Sequence, residues 1–235
     1  MSESAQSRRS AASGRPARRP SSSVRTAVPA ACLAVLAVCL ALWAGAARAQ
    51  SRTTPEVRLT PKEKAFLLGL AREPLAALLE GRPSRAPAAR PARLEETHLL
   101  VVSLSLDGRT AARAWEIRRP EPLWQGALTL GAKVLTTPDA GRPLGPEELA
   151  RAKVSAAVLS GLTEIAGDAE VAAGQGVVVL SGYAFAVGLP GDVPAGSRPF
   201  ELLSEACRAA GLRPGAWLGE RSTLFSALAD QVAED

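Results

Sequence analysis

The chain has 235 residues, 47% of them hydrophobic and only 4% aromatic, enough for one globular domain with a core mostly of Leu, Val and Ala. Its formal charge of +5 is unevenly placed: Arg8, Arg9, Arg15, Arg18, Arg19 and Arg25 face only Glu3 in the first 26 residues, whereas from Gln50 onward 21 basic residues meet 22 acidic ones. Displacing counterions from phosphates needs concentrated positive charge, so the near-neutral body argues against a nucleic-acid partner.

After Arg25 an apolar run, "AVPAACLAVLAVCLALWAGAA", leads to "ARAQ", with a small–any–small site at Ala47-Arg48-Ala49. A basic start, an apolar stretch and a small-residue site describe a secretory signal cleaved between Ala49 and Gln50. The run is also near the length of a membrane span, so an uncleaved anchor is the alternative. Both place the basic end in the cytoplasm and the domain outside it, secreted, periplasmic or anchored. Pro20 and the serines after Arg18-Arg19 weigh against a twin-arginine signal. Val38 before Cys39 weighs against lipidation. Cys32 and Cys39 lie in this segment, leaving Cys207 alone in the mature chain, where it forms no internal disulfide and no thiolate metal cage. The organisation is therefore signal or anchor over 1–49, spacer over 50–58, domain over 59–232 and tail over 233–235.

The domain opens on "TPKEKAFLLGLAREPLAALLEG". Thr60 and Glu63 have capping-box spacing, Pro61 suits the first helical position and Gly81 the stop. Phe66, Leu67, Leu70, Ala71, Leu75, Leu78 and Leu79 form one apolar face. Pro74 predicts a kink or two helical pieces. The loop "RPSRAPAARPAR", Arg82–Arg93, reads as a solvated charge run. "HLLVVSLSL" alternates as a strand, and Asp107-Gly108 signals a hairpin. The returning strand, Arg109–Ile117, presents Ala111, Arg113, Trp115 and Ile117 on one face and Thr110, Ala112, Ala114 and Glu116 on the other.

Pro120–Leu135 predicts a helix with Leu123, Ala127, Leu130 and Val134 on its inner stripe and Trp124 at the edge. A turn-rich connection follows, ending in a short helix whose Glu147-Glu148 suit its positive end. "KVSAAVLS" is a strand, and "GVVVLSGYAFAVGLP" a second hairpin about Ser181-Gly182. "RPFELLSEACRAAGL" is a helix with Phe200, Leu203, Ala206, Cys207 and Ala210 facing inward and Gly211 as its stop, and "STLFSALADQV" a last strand. Without regular βαβ alternation, the order predicts an α+β fold with a mostly antiparallel sheet flanked by helices.

Five pieces in this order, "LTPKEKAFLLGLAREPLAALLEG", "PEPLWQGALTLGAKVL", "RPLGPEELARAKVSAAVLSGLTEI", "GVVVLSGYAFAVGLP" and "FELLSEACRAAGLRPGAW", make the chain similar to the AMMECR family, also called protein A of the AmmeMemoRadiSam system. The resemblance spans Leu59 to Val232. It implies an AMMECR-like sheet flanked by helices with a smaller lobe, and no known reaction. The family's Leu-Arg-Gly-Cys-Ile-Gly strip corresponds here to "TAARAW", Thr110–Trp115. Arg113 stands in the cysteine's place, and Ala112 and Trp115 in those of the flanking glycines. Export is also unusual for a family regarded as intracellular, so a diverged, repurposed member is implied.

Catalytic material is sparse. His98 is the one histidine, and a structural or surface role outweighs a triad or metal role. "GQG" at Gly174–Gly176 lacks the context of a phosphate loop. Glu95-Glu96 and Glu147-Glu148 are adjacent, so their side chains diverge. Cys207, on an apolar helix face, reads as an inert thiol. The candidate ligand site is Arg113, Trp115 and Glu116, with arginine for a carboxylate or phosphate and indole as a stacking wall. The competing reading has Trp115 in the core and Arg113 at the sheet margin, paired with Glu116 or Glu121. No metal and no cofactor are expected. The expected function is a non-catalytic binding or interaction module for a protein or small ligand. The alternatives are an enzyme using Arg113, Glu116 and Glu164 in a cleft, or an accessory subunit of an envelope complex.

Overall fold

The computed structural model describes residues 56–116, 121–136 and 144–234. The expected export segment and its Ala49/Gln50 junction lie outside the described residues. Ile117 lies outside them as well. No described helix is long and apolar enough to cross a membrane.

Helix α1, Pro61–Leu79, begins as its sequence dictates. Thr60 Oγ1 accepts from the Glu63 N–H, and Glu63 Oε2 accepts from the Thr60 N–H at 2.8 Å. The Thr60 backbone N–H and, second, the Thr60 hydroxyl donate to the Glu63 carboxyl and hold it below its ordinary range. The helix ends in a Schellman turn, with the Arg82 N–H on the Ala77 carbonyl at 2.9 Å and Gly81 at φ +66°. Pro74 does not split it into two pieces. It is buried in one continuous helix against α2, Leu123–Val134, whose Gly131 passes so close that a Cβ there would collide with the Ala71 carbonyl. Packing at this contact outweighs the missing proline N–H. Leu78 and Leu79, expected inside, are exposed because the helix has run past its cover.

Strands β1, Leu99–Leu106, and β2, Arg109–Trp115, form the first hairpin, and Asp107 and Gly108 both take positive φ, as a two-residue type I′ turn requires. The short helix α3, Pro146–Arg151, opens with Glu148 Oε2 accepting the Gly145 N–H at 2.8 Å. Strand β3, Lys153–Ile165, runs five residues beyond its expected end at Ser160; Gly161, at φ +61°, opens a bulge between Ser160 and Thr163 and the pairing resumes. Strands β4, Gln175–Ser181, and β5, Ala184–Gly188, make the second hairpin. Helix α4, Pro199–Ala209, then precedes the last strand, β6, Ser222–Ala233. Phe200, expected inside α4, is 40% exposed, and Leu202 takes its place among the buried residues.

All pairs are antiparallel, and the six strands run β2-β1-β3-β6-β4-β5. The expected α+β class with an antiparallel sheet flanked by helices is what the chain adopts. The C-terminal strand sits in the middle and joins the two hairpin-containing halves. Helices α1 and α2 cover one half, burying Leu104, Ala112, Ala114, Val154 and Val158. Helix α4 covers the other, burying Val177, Val179, Ala186 and Leu224 with its own Leu203 and Cys207. The remaining face carries a third core, in which Val101, Leu159, Val178, Val187 and Leu189 meet Trp115 and Phe225. Residues at both supposed flanks join the domain. Val57 is buried and donates to Ser160 Oγ at 2.9 Å, and Glu234 Oε2 accepts from the Val154 N–H at 2.7 Å.

Candidate functional site

Arg113 lies on β2, an edge strand, opposite Ser103 of β1, with Trp115 opposite Val101. Both side chains therefore take the face of the third core. Trp115 packs into that core. Arg113 is not at an open margin. Its Nη1 donates to Asp192 Oδ2 at 2.7 Å, Nη2 donates to Asp192 Oδ1, and Nε donates to Ser103 Oγ at 3.2 Å. Asp192 Oδ2 also accepts the Leu189 N–H at 2.7 Å. The side chains are 6% and 9% exposed, so this is a buried bidentate ion pair with every guanidinium nitrogen engaged.

The pairing corrects the expected partners: Arg113 meets Asp192, not Glu116 or Glu121. Asp192 closes a 3-10 turn, Pro190–Asp192, just past β5, the opposite edge of the strand order. For one edge to reach the far side of the other, the sheet must curl, and the Arg113–Asp192 pair clasps that curl. No local signal links residues 79 apart. The hint in "LPGDVP" concerns only the turn, where Asp192 caps its own backbone.

Glu116 does not join Arg113; it lies on the other face, 3.6 Å from Lys133 Nζ. Glu164 is exposed on β3, opposite Phe225 of β6. Thr110 moves the other way. A bulge leaves Ala111 unpaired, with Leu104 opposite Ala112 and Ser105 opposite Thr110. The extra residue shifts the alternation, so Thr110 shares Arg113's side rather than Glu116's. The two border a cleft of about 480 Å³ with Arg109, Asp192, Glu205 and Arg208. Of these, sequence reasoning singled out Arg113 alone.

His98 is turned inward. Its side chain is 5% exposed and its Nε2 lies 3.2 Å from Glu96 Oε2, while Nδ1 is buried without a protein partner. Cys207 is fully buried, and burial pushes its thiol above the ordinary value, opposed by a backbone hydrogen bond at Trp217. Among the described residues, no three His, Cys, Asp or Glu side chains are grouped to hold a metal ion.

No family model and no curated protein matches the chain. In structure it is similar to the crystal structure of an uncharacterized protein, PH0010, from Pyrococcus horikoshii, at 23% identity and a TM-score of 0.63, over 76% of this chain and 95% of that one. At that identity the likeness is one of fold, and it supports the α+β architecture alone.

Proposed function

We propose that this chain is an exported, AMMECR-like binding or interaction module whose ligand or partner engages the cleft beside the first hairpin. The observation that carries the reading is the state of Arg113. Where the family resemblance expects a cysteine, this chain has a guanidinium buried in an ion pair with Asp192. Such a group holds a shape and a field, and it does not replace a thiolate nucleophile. The basic start, apolar run and Ala49/Gln50 junction support export.

The protein recovered from its own cell envelope and measured by native mass spectrometry tests this. The expected result is a chain starting at Gln50, or the intact anchored chain, carrying a stoichiometric small ligand or protein. A cytoplasmic chain would overturn the export reading. A bare chain with a metal- or thiol-dependent turnover would overturn the binding reading. The enzyme alternative draws support from one feature, the presence of both Glu205 and Arg208 at the cleft beside Arg113.

A further inference from the structure

We propose that the cleft between the first hairpin and α4 binds a compact oxyanion, a carboxylate or phosphate group on a small molecule, through Arg109, Arg208 and Thr110. The inference rests on the binding reading above and names the chemistry that the site recognises.

The charges bordering the cleft do not balance. Arg113 and Asp192 neutralise each other and are buried. Arg208 pairs with Glu205 one helical turn away, and both side chains are well exposed at 59% and 36%. Arg109 is exposed on the hairpin, and its side chain makes no ion pair or hydrogen bond among the described residues. One positive charge is thus left over, beside a second held by only a surface pair. Exposed pairs at this spacing contribute little, so Arg208 can exchange Glu205 for a better acceptor at small cost. The guanidinium fork matches the two oxygens of a carboxylate or phosphate. Thr110, moved by the Ala111 bulge to Arg113's side, adds a hydroxyl donor. A cleft of about 480 Å³ lies within the range that holds small ligands. The clasp beneath ties β2 to the Pro190–Asp192 turn, both of which border the cleft.

Isothermal titration of the full chain, with inorganic phosphate in one arm and succinate in the other, tests the proposal. One-site binding of at least one anion is expected, weakening as ionic strength rises. The arm that binds identifies the head group. Arg109→Ala is expected to weaken binding about tenfold, the loss of one charge-assisted contact. Glu205→Gln is expected to tighten it by roughly two- to fivefold, by removing Arg208's competing partner. Arg109 is exposed and Glu205 is partly exposed with only a surface pair, so neither change is expected to disturb folding. Binding of neither anion, or binding that Arg109→Ala and Glu205→Gln leave unchanged, would overturn the inference. A non-anionic ligand found on the native protein would remove the oxyanion assignment while leaving the binding module standing.

Discussion

The loop from Arg82 to Arg93 and the strand from Arg109 to Trp115 are both rich in arginine, yet they use it differently. In the loop, Arg82 holds Glu73 and Glu80, Arg90 lies 3.8 Å over the Trp124 ring with its Nε on Glu95, and Arg93 donates to the Arg58 carbonyl at 2.7 Å. The expected solvated run is instead a set of staples fixing an irregular segment onto α1 and α2. These staples remain partly in water, where an ion pair gains little over solvation. On the strand, Arg113 is out of water, where a charge must be paired, and the side chain of Arg109, four residues away at a cleft, has no partner among the described residues. Arginine content is thus a poor guide to role: what each guanidinium meets, and how far it is from water, separates one use from the other.

The clasp gives the sharpest way to break this contrast. Arg113→Ala, or Asp192→Ala, leaves a buried charge alone and is expected to cost about 3–5 kcal/mol of stability, read from urea unfolding. The double change Arg113→Met with Asp192→Leu is expected to cost much less than either, because no charge is stranded. A single change that leaves the unfolding midpoint in place would show that the pair is not holding the curl, and would return Arg113 to the list of ligand contacts. In the loop the expected effects are smaller. Arg90→Ala loses one cation–π contact and one exposed ion pair, about 0.5–1 kcal/mol. A loss as large as that at Arg113 would erase the difference between the two regions. Arg109→Ala is expected to shift stability by less than about 0.5 kcal/mol, since nothing in the fold depends on it.

The smallest effect is expected in acid. Arg82 holds the Glu73 carboxyl below its ordinary range, and Thr60 does the same for Glu63. Carboxyls depressed on folding stabilise the native state fully above their unfolded values and lose that contribution as pH falls through the folded ones. Thermal midpoints should therefore fall slightly below about pH 4, in the carboxylate range, and Glu73→Gln should flatten the fall. An unchanged slope in Glu73→Gln would mean that the Arg82 staple contributes nothing.

What the sequence determined by itself was local. Thr60 and Glu63 are three residues apart, so their capping box was legible. Asp107-Gly108 and Gly81 specify backbone conformations that few other residues adopt at no cost. The period of apolar residues marked where helices and strands lie, though not every boundary, and the class of the fold followed from their order. The misses share one cause, because each depended on a partner far along the chain. Leu78, Leu79 and Phe200 are apolar at the right spacing, but whether a face is covered depends on where its neighbour ends. Pro74 stays in one helix because α2 packs against it. The position of β6 between β3 and β4 depends on pairings that form only when both halves are present. The Arg113–Asp192 clasp, across 79 residues, could be fixed only by a curled sheet, because burying an arginine is affordable only where the fold delivers its carboxylate.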